Sequence, residues 1–303
     1  LAYRDHDRTP VIYCIKAMAE RHYGVNVEVV HIHERQAFED ALLDGRCDTI
    51  IEHTEYLYAE TARGRKVTFF CAPQIHRGLQ LVAPRDFASV DQLRGKRMAV
   101  RDLGRPFAVT LWLRKMGLER DVETVIVTDK EIGRWQQWRK VTNGECAACF
   151  IAPIYLPPAL AAGLKIFPAE ETEIVSNFAQ ACLSSFAAAD PVRMKSYMKA
   201  VIHALALLRH RRDEAVEIAA GEPMRLMNIS DRAELRRQVG SIAEMLRVKP
   251  YPTAEAIVNT NAIAAHEYGA RIENPVTLWD LHWVKELDDE GFIDNLVAGL
   301  SKA

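Results

Sequence analysis

The feature that most constrains the fold is the alternation of short apolar runs with helical patterns in the first half of the chain. Residues 11–22 carry apolar side chains at helical spacing, while the apolar runs that flank the helical patterns are too short to be helices. Strand and helix in strict alternation predict parallel strands joined by crossover helices. The apolar runs of this first round are residues 1–3, 25–30, 47–51 and 67–71.

The pattern then repeats, with strands predicted at residues 78–82, 98–101, 122–127, 146–151 and 164–167. Helices are predicted between them at 107–116 and 131–141, and the turns Asp44-Gly45 and Asn143-Gly144 precede equivalent strands in the two rounds. We therefore expect two similar α/β lobes. From residue 190 onward only helical patterns occur, so the last third is predicted to be helical, at 191–209, 213–220, 231–246, 253–268 and 278–298.

Charge and hydropathy exclude several classes of function. The formal net charge of the 303 residues is −2, which does not favour nucleic-acid binding. No apolar run approaches the roughly 20 residues that a membrane span needs. The six cysteines lie in apolar surroundings, and a chain of this length needs no disulfide staples, so we expect buried free thiols.

The stretch from Met98 to Met116 predicts an anion site. An apolar strand ends at Arg101, Asp102 and a turn with Arg105 follow, and Pro106 fits the first turn of a helix. Free N–H groups and the positive end of the helix dipole attract anions at such a turn. The alternative is a turn that faces solvent and binds nothing.

Arg8 and Thr9, at the end of the first strand, form a second candidate site. A guanidinium binds a carboxylate through two parallel hydrogen bonds, and the threonine hydroxyl offers another. The alternative is that Arg8 pairs with Asp5 or Asp7.

Further candidates follow other strands. Glu52, His53 and Tyr56 open a helix, either as ligand contacts or as a capping cluster, and His53 has an imidazole that titrates near neutral pH. His76 and Arg77 precede the next strand, where a plain surface loop is the alternative.

In the second round, Trp135 offers a ring for stacking, with Trp138 predicted on the same helix face, although core packing would explain both rings. The last two candidate ligand-binding residues are Cys149, which lies in the predicted strand at 146–151, and Pro153, which follows that strand. Cys146 and Cys149 have the spacing of a metal pair, but positions i and i+3 of a strand face opposite sides, so no metal site is predicted. No cofactor is indicated by the sequence.

The strand order, the element Ser-Val-Asp-Gln-Leu-Arg-Gly-Lys at 89–96 and the helical C-terminal third together resemble the type II periplasmic (solute) binding proteins. The resemblance covers almost the whole chain. It implies lobe 1 at residues 1–80 and 182–303, lobe 2 at 81–181, two crossing strands as a hinge, and a ligand cleft between the lobes.

Among subfamilies, the chain looks like the group that includes thiamin-precursor synthases and ABC-transporter substrate-binding proteins for riboflavin-like or sulfonate ligands. Glu52 and Tyr56 stand where the synthases carry a cofactor-bearing lysine and a reactive histidine, so the resemblance implies binding and not synthase chemistry. The expected ligand is a small organic anion, a carboxylate with an aromatic group as one option. An ABC permease is the expected partner.

An enzyme is the alternative. Asp5-His6-Asp7-Arg8-Thr9 is similar to a motif of the 4,5-dihydroxyphthalate decarboxylases, which share this fold. That resemblance implies cofactor-independent decarboxylation of a hydroxylated aromatic acid, with His53 or His76 supplying the proton. The location stays open: the periplasm for a transport protein, the cytoplasm for an enzyme.

Overall fold

A computed structural model of the chain describes residues 1–4, 6–52, 54–76, 78–102, 106–175 and 178–302. The chain divides into two compact units: unit 1 comprises Leu1–Ile75 and Val175–Ala303, and unit 2 comprises His76–Ile174. Each unit is built on its own five-stranded sheet flanked by helices. The prediction of two α/β lobes is thus confirmed, while the predicted lobe boundaries stay a prediction.

Unit 1 contains five strands in the spatial order β2-β1-β3-β10-β4. The strands are β1 (Ala2–Tyr3), β2 (Val30–His31), β3 (Thr49–Ile51), β4 (Val67–Cys71) and β10 (Gln180–Leu183). β1 is parallel to β2 and β3, but β10 is antiparallel to β3 and β4. β1, β2, β3 and β4 therefore all run in one direction, as predicted, and the sheet is mixed because β10, from a later part of the chain, runs against them.

Unit 2 has the order β7-β6-β8-β5-β9. Its strands are β5 (Gln80–Ala83), β6 (Arg97–Arg101), β7 (Glu123–Val127), β8 (Ala148–Ile151) and β9 (Lys165–Phe167). β6 is parallel to β7 and β8, whereas β5 is antiparallel to β8 and β9. In each unit the antiparallel strand is the first one after the segment that forms the other unit: β5 follows residues 1–75, and β10 follows residues 76–174. The periodicity of apolar residues does not indicate the direction of a strand.

The helices of unit 1 pack on both faces of its sheet. α1 (Thr9–His22) has Pro10 in its first turn and buries Val11, Ile12 and Ile15 in the larger core cluster. The others are α2 (Arg35–Leu43), α3 (Glu55–Ala62), α8 (Ser184–Ala189), α9 (Pro191–His210), α10 (Arg212–Ala219), α11 (Glu222–Leu226), α12 (Arg232–Met245), α13 (Ala254–Tyr268), α14 (His282–Asp289) and α15 (Phe292–Lys302). The helical C-terminal third is confirmed.

Unit 2 has four helices among its described residues: α4 (Pro106–Lys115), α5 (Asp129–Ile132), α6 (Trp138–Thr142) and α7 (Leu156–Ala161). α4 begins at Pro106, as predicted from the fixed φ of proline. The Ser89 element is a short turn of 3₁₀ helix, Val90–Leu93, with a capping box between Ser89 and Gln92.

Three predicted elements are wrong, each for a local reason. The strand at 25–30 is reduced to Val30–His31, because its ladder with β1 begins at the pair Ala2 and Val30, and the hydrogen bond from the Leu1 nitrogen to the Glu28 carbonyl oxygen does not extend it. The helix at 131–141 is interrupted at Gly133, where φ is 89°. The last helix is broken at Gly291, where φ is 71°.

Candidate functional site

Several polar side chains of unit 1 lie where its strands end. Arg8 follows β1, Glu52 follows β3, Gln74 follows β4, and Gln180 starts the antiparallel β10. Gln180 is in register with Ile51 and Cys71, the last residues of β3 and β4. Since neighbouring strands lie about 4.8 Å apart, these side chains lie close together where the parallel strands β1, β3 and β4 end. We call this end of the sheet its carboxyl-end edge. Open α/β sheets bind their ligands at this carboxyl-end edge.

Arg8 is the most informative of these residues. It is 8% exposed, its guanidinium carbon lies 4.9 Å from the centre of the Phe178 ring, and its Nε is buried without a hydrogen-bond partner among the described residues. The alternative to ligand binding was an ion pair of Arg8 with Asp5 or Asp7. No ion pair joins Arg8 to Asp7, and Asp5 lies outside the described residues. Arg8 also occupies the N-cap position of α1, without a capping hydrogen bond from its side chain, and the helix dipole adds positive potential there.

Thr9, the other half of this candidate, is fully buried. Its hydroxyl lies 2.6 Å from the His6 carbonyl oxygen, to which it donates, and 3.3 Å from the Tyr3 hydroxyl. The threonine side chain therefore fastens the turn between β1 and α1. It positions Arg8 at the start of the helix.

Glu52 is fully buried after β3, and its Oε2 accepts a hydrogen bond of 2.6 Å from the Arg4 N–H. Tyr56, by contrast, lies in the second core cluster of unit 1 with Phe38 and Phe69. Its hydroxyl has no hydrogen-bond partner among the described residues, and burial raises its pKa well above the usual value. Glu52 thus belongs to the edge of the sheet, and Tyr56 packs into the core.

Four buried polar residues at this edge are not among the candidates predicted from the sequence. Gln74 and Gln180 are 1% and 0% exposed, and Thr54 and Glu55, at the start of α3, are each 1% exposed. Gln180 accepts a hydrogen bond of 2.8 Å from the Tyr197 hydroxyl, while its Nε2 and the Oε1 of Gln74 are buried without partners among the described residues. In the sequence, the feature that could have indicated these four residues is their position at, or a few residues after, the end of a buried apolar strand.

Histidines also gather at this edge. The His6 ring stacks on the His31 ring with centroids 4.0 Å apart, and His31 Nε2 lies 2.6 Å from the Arg4 carbonyl oxygen. Among the described residues, no group of His, Cys, Asp and Glu side chains is arranged to hold a metal ion.

In unit 2, Arg101, where the predicted anion turn begins, forms an ion pair with Asp129. Arg101 Nε donates to Asp129 Oδ1 at 2.6 Å, and its Nη2 donates to Oδ2 of the same carboxylate. The Arg101 guanidinium holds the pKa of Asp129 below its ordinary value. The charge of Arg101 is therefore already compensated, which distinguishes it from Arg8.

Trp135 packs beside this ion pair. The Arg101 guanidinium lies 4.8 Å from its ring centre, and the ring stacks on Tyr155 with centroids 6.0 Å apart. Trp135 has φ of 58° and lies between α5 and α6, whereas Trp138 is the first residue of α6. The prediction that the two tryptophans share one helix face is wrong, because the chain leaves the helix at Gly133.

The remaining candidates of unit 2 are dispersed. Asp102 directly follows β6 and is partly exposed, and Pro153 begins a 3₁₀ turn after β8. Cys149 is fully buried in β8, and burial raises the pKa of its thiol. His76 Nε2 lies 4.0 Å from Glu173 Oε1. The candidates His53, Arg77 and Arg105 lie outside the described residues.

Unit 2 also has a small apolar cavity of about 30 Å³ between α4 and its sheet, lined by Leu79, Val109, Trp112 and Phe150. A larger cavity, of about 340 Å³, lies in unit 1 beside Leu1 and Thr49, at the amino ends of β1 and β3. That edge is opposite to the one where Arg8 and Glu52 lie. Ligands of α/β sheets bind at carboxyl ends, so cavity size does not decide the site here.

No family profile matches the sequence, and no curated protein matches it either. Solved structures do match. A periplasmic sulfonate-binding protein of Methylobacillus flagellatus is 16% identical with a TM-score of 0.68, over 94% of this chain and 90% of that one. The periplasmic aliphatic sulphonate-binding protein of Escherichia coli is 16% identical with a TM-score of 0.64, over 88% and 90%.

A Candida albicans protein described as having the generic periplasmic binding protein fold matches over 95% of this chain and 93% of that one, with 17% identity and a TM-score of 0.52. The chain has the type II periplasmic-binding-protein fold. The periplasmic-binding-protein resemblance inferred from the sequence is thus confirmed at the level of the fold. In the described part of the chain, every helix is too short or too polar to cross a membrane.

Proposed function

We propose that this protein binds a small organic anion and serves as the substrate-binding component of an ABC-type importer. The observation that carries the proposal is Arg8, a guanidinium that is 8% exposed and has no acidic partner among the described residues. A buried charge costs several kcal/mol unless an opposite charge or hydrogen bonds compensate it. An anionic ligand at Arg8 would supply that compensation.

The position of Arg8 supports the same proposal. It stands at the N-cap position of α1, a helix of 14 residues, at the carboxyl-end edge of the sheet. Helix N-termini favour anions because their free N–H groups and the macrodipole both present positive charge. Two sources of positive potential therefore coincide at one place.

The role in transport rests on the fold. One solved neighbour is described as the periplasmic sulfonate-binding protein of an ABC transporter, and another as a periplasmic aliphatic sulphonate-binding protein. Our proposal takes a carboxylate as the anionic group, because a guanidinium donates to two planar oxygens at once, and keeps an aromatic carboxylate as one option. Because solved neighbours are described as sulfonate-binding proteins, the test below includes sulfonates as well as carboxylates.

The test is a calorimetric titration of the purified protein with ethanesulfonate, benzenesulfonate, propanoate, benzoate and phthalate, with propanamide as the uncharged control. We expect at least one anion to bind below millimolar concentration and propanamide not to bind. Arg8→Met should weaken that binding by at least about 30-fold, because removal of one partner of a buried charge pair costs about 2–5 kcal/mol.

The matched control is Arg114→Met, which removes an exposed arginine that pairs with Glu119. It should leave the dissociation constant unchanged. If no anion binds at millimolar concentration, or if Arg8→Met binds as tightly as the wild type, the proposal is wrong. No described contact favours the decarboxylase alternative, since His53 is outside the described residues and His76 faces Glu173.

A further inference from the structure

Gln180 and Arg8 lie on the same face of the unit 1 sheet. Gln180 Oε1 accepts a hydrogen bond of 2.8 Å from the Tyr197 hydroxyl, and Tyr197 packs in the larger core cluster. Phe178 belongs to that cluster too, and its ring centre lies 4.9 Å from the Arg8 guanidinium carbon. Gln180 follows Phe178 by two residues, a span of at most roughly 7 Å. Gln180 is therefore a close neighbour of the candidate anion site.

The amide nitrogen of Gln180 is a buried donor without a partner among the described residues. Gln180 is 0% exposed, and its amide oxygen already accepts from Tyr197, so the nitrogen is the end of the amide that remains. Arg8 Nε is a second buried donor of the same kind. Both nitrogens need an acceptor, because a buried polar group without a hydrogen bond is costly.

Gln74 supplies the opposite kind of group at the carboxyl-end edge. It is 1% exposed, and its Nε2 donates to the Met245 sulfur at 3.6 Å. Its Oε1 is buried and has no partner among the described residues. Gln180 is in register with Cys71, the last residue of β4, which comes three residues before Gln74. A buried acceptor thus lies at the same edge as the two buried donors.

A ligand with an anionic group alone does not satisfy all three of these atoms. A carboxylate only accepts hydrogen bonds, so it complements Arg8 and Gln180 Nε2 but not Gln74 Oε1. An ammonium only donates, so it complements Gln74 Oε1 but not Gln180 Nε2. A hydroxyl donates one hydrogen bond and accepts others at a single oxygen. It is therefore the smallest group that pairs with both amides.

From these observations we infer that the ligand is a small hydroxylated organic anion. Its anionic group contacts Arg8, and its hydroxyl accepts from Gln180 Nε2 and donates to Gln74 Oε1. This inference rests on the proposed function and narrows its class of substrate. Because Gln180 follows the Arg8 contact Phe178 by only two residues, we place the hydroxyl one or two carbons from the anionic group.

The test compares matched ligands in which a methyl group replaces the hydroxyl. The pairs are lactate and 2-methylpropanoate, 3-hydroxypropanoate and butanoate, and isethionate and propane-1-sulfonate, each titrated calorimetrically into the purified protein. We expect the hydroxyl compound of at least one pair to bind at least about tenfold more tightly than its methyl analogue, which corresponds to about 1.4 kcal/mol. The reason is that the methyl analogue leaves both buried amides unpaired.

Gln74→Met should reduce this preference to less than about threefold, because a thioether is only a weak acceptor. Gln180→Met removes the donor and should reduce the preference in the same way. Gln36→Met is the matched control: it makes the same change at an exposed glutamine of α2, whose Nε2 donates to Asp40 at 3.0 Å. That control should keep the preference of the wild type.

The possible outcomes separate the two proposals. If the methyl analogue binds as tightly as the hydroxyl compound in every pair, this inference is wrong while anion binding stands. The same holds if folded Gln74→Met or Gln180→Met protein keeps the full preference. If no member of any pair binds, this inference is wrong, and if the wider anion panel also fails, both proposals are wrong. The preference of the wild type alone is decisive if the variants do not fold.

Discussion

The Arg8 guanidinium carbon lies 4.9 Å from the centre of the Phe178 ring, and that ring is fully buried. A cation above an aromatic face gains about 0.5–2 kcal/mol, depending on how far it is removed from water. This gain offsets part of the cost of burying Arg8 and not all of it. The contact therefore holds the guanidinium in place and leaves its hydrogen-bonding edge available for an anion.

Arg8 and Arg101 should respond differently to the same substitution. Arg8→Met replaces a buried charge by an apolar side chain, so we expect the free energy of unfolding of the ligand-free protein to change by less than about 1 kcal/mol or to rise. Arg101→Met strips Asp129 of its bidentate partner and should cost about 1–3 kcal/mol.

Urea unfolding of the two variants and the wild type, without ligand, measures this difference. If Arg8→Met costs as much as Arg101→Met, Arg8 has a structural partner in the protein and its burial no longer indicates a ligand. At functional sites, substitutions that remove a binding residue often increase the stability of the protein.

His203 should make the protein less stable in mild acid. Burial lowers the pKa of His203 to about 4, with a contribution from His22, whereas the unfolded imidazole titrates near 6.5. Between these two values the unfolded state binds more protons, so the free energy of unfolding falls as the pH decreases through that window. The Nδ1 atom of His203 lies 3.1 Å from the Tyr23 hydroxyl oxygen, so the ring and the hydroxyl share a hydrogen bond.

Urea unfolding at pH 7 and at about pH 5 measures this effect. His203→Gln should show a smaller loss of stability between the two values than the wild type does. His266→Gln, at an exposed position of α13, is the control and should keep the loss of the wild type. An unchanged pH dependence in His203→Gln would contradict the assignment.

The cysteines should be almost inert in the native protein. All six are free thiols, and Cys47 alone is partly exposed, with a pKa that burial raises to about 11. Because the thiolate is the reactive form, we expect a thiol reagent to modify at most Cys47 in the native state, and slowly. After denaturation without reductant it should modify all six. Fewer than six would reveal a disulfide, and several rapid reactions in the native state would show that the thiols are not buried.

Sequence patterning predicted most elements because the buried residues recur with clear periods. α1 and β4 are recovered nearly to the residue, since α1 buries one apolar stripe in the larger core cluster and β4 is buried between that cluster, at Phe70, and the second one, at Phe69. The errors in the predicted helices occur where a single glycine ends the helix. Gly133 and Gly291 interrupt apolar patterns that continue across them, and periodicity does not register a positive φ.

The site was harder to predict than the fold. Arg8 and Glu52 were found because polar residues at the ends of strands are conspicuous, but Gln74 and Gln180 were not. Their significance depends on burial and on the partners they lack, and Gln180 reaches this edge only because β10 runs antiparallel. Arg101 and Arg8 look alike in the sequence. Only the distance from Arg101 to Asp129 distinguishes them.

The most direct test of the central claim is a crystal structure of the protein with the tightest-binding anion of the panel. We expect an oxygen of the anionic group to lie within about 3 Å of a guanidinium nitrogen of Arg8. A complex in which the anionic group binds elsewhere, with Arg8 in contact with Phe178 alone, would contradict it.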